Sequence, residues 1–291
     1  MTVIADIAAR VGPAVVGIRG RSRGGSGVLV APGVVVTLAR NARGDEARVV
    51  TADGAEHVAR VEGVDPSVDL AVLRLDTQDT AVAAWSDAPE PPGIGAEVIA
   101  LADPGGQGLR VTGGTVAAAP RAVRGPAGRL IPGAIEHTAP LPRGSGGGPL
   151  VDPSGAIVGL NALRRDGGLL LAWPATALRE RAAVLAAGTS TAPRRLGIAL
   201  LGARATRRMR AAVGLPDVAG LLVTAVEDGS PAAAAGVVRG DVVVGAGGAP
   251  VASLDDLYAA VDAAGDAPIQ LELLRGTERV AVQVHGEEVR A

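Results

Sequence analysis

The first two thirds of the sequence predict an all-β barrel or sandwich, and the last third a small mixed α+β module. Three observations carry this. Short β-type runs recur at close spacing, cut by Gly, Pro and Asp. The interior must be filled by Val, Leu and Ala, because the chain has no Phe, one Tyr and two Trp among 291 residues. After GTSTAPRR, a small-residue stretch that reads as a linker, strands mix with helical segments.

In order, the β runs are AVVGIRG, SGVLVA, VVVTLA, ARVVTADG, DLAVLRLD, AEVIALADPGG, LRVTGGTVAAA and AIVGLNAL. PATALRERAAVLAAG then predicts a helix with Pro in its first turn and a stop at Gly188. Beyond the linker, one helix is expected over Arg204–Val213. A second is expected in SLDDLYAAVDAAG, where Ser253 and Asp256 have capping-box spacing and Leu254, Leu257 and Val261 share a face. No internal repeat is present.

Composition narrows the function classes. The formal net charge is −2 with mixed signs, which gives no general attraction to nucleic acid or to an anionic membrane. There is no Cys, hence no disulfide, thiol nucleophile or thiolate metal site, and no metal or cofactor is expected. The start, MTVIADIAARVGPAVVG, carries Asp6 and Arg10 and has no basic n-region or cleavage box, so it does not read as a signal peptide. No apolar run reaches the ~18 residues needed to span a bilayer. The expectation is a soluble, cytoplasmic chain. The glycine run at 144–148 lacks the Lys-Ser/Thr of a phosphate loop, and the Arg204, Arg207, Arg208 and Arg210 cluster reads as a solvated helix face.

Several ordered motifs carry a resemblance: ADIAARVGPAVVGI, GSGVLVAPGVVVTLAR, DPSVDLAVLRLD, ALADPGG, VTGGTVAAA and GSGGGPLVDPSGAIVGLNA. Together they resemble the HtrA-type serine proteases. That resemblance implies an all-β double six-stranded, chymotrypsin-like barrel over residues 1–188, a linker over 189–195 and a PDZ domain over 196–286. Carried over one by one, the catalytic aspartate position is Asp69. The histidine position, from the family's T-x-x-H pattern, is Arg40, and the serine position is Gly146. A guanidinium titrates above ~12 and has no acceptor, and glycine has no side chain, so neither supplies the missing chemistry. The oxyanion-hole amides implied are those of Gly144 and Gly146. Asp69 is expected to pair with Arg40, because a half-buried carboxylate seeks a partner.

A displaced nucleophile is the alternative: Ser145, one place before Gly146, with no identified base. His137 lies on the strand entering the loop and reads as a pocket or surface residue, His57 as solvent-facing, and His285 as near the C-terminal end. In the last third, GSPAAAAGVVRGDVVV is the most specific mark of a PDZ domain of the bacterial protease type. The resemblance implies that Leu196, Gly197 and Ile198 form a loop for a peptide carboxylate, with Leu257 and Val261 lining the groove. The reading is therefore a non-catalytic scaffold that binds peptide C-termini or unfolded segments. Its rivals are a serine endopeptidase using Ser145 and a regulatory partner of an active HtrA-type protease. A monomer is expected, without nucleic acid or membrane segment.

Overall fold

Six of the β-type runs close on themselves. In the computed structural model, which describes residues 3–20, 24–42, 44–76, 81–125, 128–164, 168–188, 194–265, 267–285 and 287–288, a helix α1 (Val3–Val11) precedes six strands. These are β1 (Val15–Arg19), β2 (Gly25–Ala31), β3 (Val34–Thr37), β4 (Glu46–Val50), β5 (Glu56–Asp65) and β6 (Leu70–Arg74). They form a closed barrel in the order β1-β2-β3-β6-β5-β4, all pairs antiparallel. On the paired strands β3 and β6, Val35, Val36, Leu70, Ala71, Val72 and Leu73 are fully buried. Helix α1 has no strand signature: Ile7 and Val11 are its buried face, while Val3 and Ile4 remain exposed.

The second group comprises β7 (Glu97–Ala102), β8 (Arg110–Thr115), β9 (Arg121–Arg124), β10 (Leu130–His137), β11 (Pro149–Val151), β12 (Ile157–Arg164) and β13 (Leu170–Pro174). They make a seven-stranded sheet, β8-β7-β11-β12-β13-β10-β9. The expected second barrel has six strands, and the difference has a clear origin. Six of these strands curl into a ring whose seam is a single bridge, Val116 to His137, flanked by Ala117 N–H to Glu136 O (2.7 Å) and Thr138 N–H to Thr115 O (3.0 Å). β9 is an additional arm on β10. Val98, Ala100, Ile135, Leu150 and Ala172 pack the interior of this ring.

α2 (Ala175–Ala186) follows, with Pro174 at its N-cap rather than inside the first turn. It buries Leu178, Ala182 and Leu185. Leu185 reaches Gly63, where an added Cβ would lie 2.8 Å from Leu185 Cδ2. The fully buried Asp65 accepts from Ser67 N–H (2.9 Å), the Ser67 hydroxyl and Arg181, which fastens α2 to the first barrel.

The chain divides into two compact units, Met1–Ala192 and Pro193–Arg290. Of the expected linker, residues 189–193 lie outside the described residues. The second unit contains β14 (Arg194–Arg195), β15 (Ile198–Leu201), α3 (Ala203–Ala212), β16 (Leu221–Val226), α4 (Pro231–Ala234), β17 (Val242–Ala246), β18 (Ala249–Pro250), α5 (Leu254–Ala264), β19 (Ile269–Arg275), β20 (Glu278–Val284) and β21 (Glu287–Glu288). Its sheet runs β15-β16-β17-β19-β20, which leaves β15 at an edge. The capping box of α5 forms as its sequence predicts: Ser253 Oγ accepts from Asp256 N–H, and the Asp256 carboxylate accepts from Ser253 N–H (2.8 Å). Among the described residues no helix is long and apolar enough to cross a membrane.

Two charged residues hold this unit together. Arg210 belongs to the cluster expected to be a solvated face, yet it is 3% exposed. Its guanidinium donates to the carbonyls of Pro216 (3.0 Å) and Gly276 (3.2 Å), so it is a loop clamp. Asp241, fully buried, accepts from Arg275 through both oxygens (2.8 and 2.9 Å) and from Val238 N–H (3.0 Å). Burial opposes its charge, but the Arg275 hydrogen bonds and the Val238 amide prevail, and its pKa lies below 3.8. The fold therefore favours the ionised form: this contribution is present above pH 3.8 and is lost as the pH falls through the lower folded value. Asp241→Asn is expected to destabilise the second unit by about 2 kcal/mol at pH 7 and to remove that acid limb, measured by denaturant unfolding against pH.

Candidate functional site

The nucleophile-like loop is fixed by residues that spacing alone does not reveal. A short 3₁₀ turn, Ala39–Asn41, follows β3 and places two side chains over the loop at 144–148. Asn41 Nδ2 donates to the Gly146 carbonyl (2.8 Å) and to Thr37 Oγ1 (2.9 Å), and Thr37 Oγ1 donates to the Ser26 carbonyl (2.6 Å). Ser26 N–H donates to the same Gly146 carbonyl (2.9 Å). On the other side Gly147 N–H donates to Asn161 O (2.8 Å), and Asn161 Nδ2 donates to Gly148 O (2.9 Å) and Pro149 O (3.0 Å).

Arg40, Asp69 and Gly146 meet in this place. Arg40 Nη1 pairs with Asp69 Oδ2, and Arg40 Nη2 donates to the Ala162 carbonyl on β12. A Cβ added at Gly146 would lie 2.9 Å from Arg40 Nη2 and 3.1 Å from Leu38 Cδ1, so the guanidinium fills the space in which a side chain at 146 would begin. Asp69 is 3% exposed and Arg40 35%. Burial pushes the Asp69 carboxyl above the usual range, and Arg40 pulls it back only in part. The Trp173 indole N–H approaches the same carboxylate but falls outside hydrogen-bond geometry. Asp69 has φ +53°, the only left-handed non-glycine among the described residues. Aspartate tolerates that region better than most side chains.

Among the described residues no hydrogen bond joins Ser145 to a histidine. Ser145 is 5% exposed and its Oγ has no hydrogen-bond partner. His137 is fully buried, which corrects the pocket-or-surface expectation, and neither ring nitrogen is bonded. His57 is half-buried on β5 and His285 is exposed. Burial drives the His137 pKa from 6.5 down to about 4, with Asn161 opposing weakly. The unfolded chain thus takes up a proton near pH 6.5 that the folded chain refuses until about pH 4. Stability is present above 6.5 and is lost as the pH falls across that window, by about 3 kcal/mol at 1.36 kcal/mol per pH unit. His137→Gln is expected to flatten the pH 7-to-4 stability curve of the first unit relative to the unaltered protein.

In the second unit Gly197 has φ +74°, and an added Cβ would stand 2.2 Å from Ser230 Cβ. The Leu196 and Gly197 carbonyls accept from Ala232 (3.0 Å) and Glu227 (2.8 Å) N–H groups. Among the described residues nothing accepts from the N–H groups of Leu196 or Gly197. Ile198 opens the edge strand β15 and is half-buried. Leu257 and Val261, 3% and 5% exposed, are core residues of the unit, so what they offer a groove is its floor. The apolar helix face was legible; its depth was not.

Residues 25–160 match the trypsin-like peptidase domain model and residues 222–275 a PDZ domain model. A putative serine protease, HhoA, of Synechocystis is 31% identical over 91% of this chain and 71% of its own length. The chain belongs to the HtrA-type serine protease family. A probable periplasmic serine endoprotease, DegP-like, of Pseudomonas fluorescens is also 31% identical, over 89% of this chain and 55% of its own length. The chain thus spans about half of that HtrA-type relative. Among solved structures, the HtrA-type protease AlgW with a decapeptide has a TM-score of 0.73 at 22% identity, covering the whole of both chains. The serine endoprotease from Yersinia pestis has a TM-score of 0.70 at 25% identity, covering 100% of this chain and 99% of that one. The chymotrypsin-like barrel and the PDZ domain of this HtrA-type chain accord with both. A PDZ domain fits peptide binding.

Proposed function

We propose that this HtrA-type chain is a pseudoprotease: a peptide-binding scaffold whose PDZ groove captures peptide C-termini or unfolded segments and whose barrel unit does not cleave them. The single observation that carries the reading is the Arg40 guanidinium, bonded to Asp69 and standing against the bare Cα of Gly146. Acyl transfer needs a base that releases and retakes a proton near neutral pH and an oxygen or sulfur that attacks. A guanidinium and a glycine supply neither. The groove reading is supported by the edge position of β15 and by the Leu196 and Gly197 amides, unbonded among the described residues, the arrangement that strand addition with carboxylate capture requires.

A second reading, a serine endopeptidase, is favoured by the relatives, which are named as serine proteases. In this chain its nucleophile is Ser145. A fluorophosphonate probe decides between the two: the scaffold reading expects no labelling of the unaltered protein. Labelling that disappears in Ser145→Ala establishes the endopeptidase instead.

A further inference from the structure

Three consecutive amides of the loop, those of Gly144, Ser145 and Gly146, donate to nothing among the described residues. Two of them, Gly144 and Gly146, are the oxyanion-hole amides that the family resemblance implies. The Gly146 carbonyl is held by Ser26 N–H and Asn41, the Ser145 carbonyl by Gly148 N–H (3.2 Å), and Gly147 N–H is spent on Asn161. Buried main-chain donors are nearly always paired; Ser145 is 5% exposed, while Gly144 and Gly146 are half-buried. Gly144, at φ +88°, has the left-handed backbone that lets successive N–H groups converge into an anion-binding concavity.

Arg40 completes the chemistry. Two of its hydrogen bonds are spent, on Asp69 and on the Ala162 carbonyl, out of the five donors a guanidinium has. Just over a third of the side chain reaches solvent. The cation thus stands beside unbonded amides, with no side chain at 146 between them. We propose that this emptied loop is a resting-state carboxylate site, one oxygen on the amides of Gly144 to Gly146 and the other on Arg40. Asp69 offsets part of the Arg40 charge, so a planar monoanion fits better than a multiply charged anion such as phosphate. The chemistry is shared by a peptide C-terminus and a free carboxylate. The proposal rests on the non-catalytic reading of the cleft, since a reacting cleft would not hold a fixed anion there.

The test is amide-resolved NMR of the ¹⁵N-labelled full chain, titrated with acetate, with N-acetyl-Ala-Leu as the free acid, with its C-terminal amide and with inorganic phosphate. Leu196 to Ile198 report the PDZ loop separately. The expected result is a saturable shift of Gly144, Ser145, Gly146 and Arg40 Nε with the acid and none with the amide. Acetate binding about tenfold more weakly marks a peptide C-terminus as the ligand, and equal binding marks a free carboxylate. Arg40→Gln/Asp69→Asn, which removes both charges together and whose folding the rest of the spectrum reports, is expected to weaken the response at least about tenfold. No shift at 144–146 with millimolar acid, an equal shift with the amide, or stronger binding of phosphate overturns the proposal. None of these outcomes bears on fluorophosphonate labelling, so the failure of the carboxylate site and the failure of the pseudoprotease reading remain distinguishable.

Discussion

Arg40→His and Gly146→Ser introduced together are expected to raise fluorophosphonate labelling and peptide hydrolysis well above those of the unaltered protein, while each single change leaves both unchanged. The asymmetry follows from the site. With Gly146→Ser alone the new Cβ begins 2.9 Å from Arg40 Nη2, so the hydroxyl has a guanidinium, not a base, for its neighbour. With Arg40→His alone an imidazole sits beside Asp69 with nothing to activate. Together they give serine, imidazole and acid around a loop whose Gly144, Ser145 and Gly146 amides donate to nothing among the described residues. Members of such a constellation act as a unit, so the gain is expected only in the double variant and to reach at least about 10³-fold in hydrolysis. Hydrolysis of a casein substrate and probe labelling measure it. A double variant that folds and stays at background would show that the loop does not hold catalytic register.

Arg40→Leu is expected to destabilise the first unit by about 2–4 kcal/mol at pH 7 in denaturant unfolding. Removing one partner of a buried pair leaves an uncompensated charge, at about 3–5 kcal/mol, and the range is lowered here because 35% of Arg40 is exposed. The pH dependence gives the sign. The Asp69 carboxyl already sits above its ordinary range through burial, and without Arg40 it rises further. A folded value above the unfolded one favours the protonated fold, so the deficit shrinks as the pH is lowered and the carboxyl is neutralised. Adding Asp69→Asn is expected to recover most of the loss at neutral pH. A deficit independent of pH would point to lost packing of the Arg40 stem instead.

Much of this site was legible because the motifs bracketing it are ordered along the chain. TLAR, VDLAVL and GSGGGPLVD, through the HtrA-type resemblance they carry, implied that Arg40, Asp69 and Gly146 share one cleft, and the pairing of Arg40 with Asp69 followed as an expectation. What escaped depends on depth and on contacts between distant strands. Asn41, Thr37 and Ser26 lock the loop, but hydroxyls and amides beside a strand end look like ordinary turn chemistry. His137 occupies an alternating strand position with no local sign that its face is the closed interior of a ring. Arg210 resembles its exposed neighbours on α3, and only the return of the Pro216 and Gly276 carbonyls makes it a clamp. Helix α1 overlaps ADIAARVGPAVVGI, which counted only as one of the resemblance motifs and not as a helix, and it is nine residues long with two buried positions, Ile7 and Val11.

The left-handed backbone at Asp69 changes what the survival of an acid there signifies. Only glycine, asparagine and aspartate settle readily in that conformation, so the menu of tolerated replacements is short whether or not the cleft cuts anything. An idle enzyme drifting under such a constraint would shed its proton shuttle and its attacking group long before it shed this residue. A lone aspartate at this spot is therefore poor testimony for surviving chemistry.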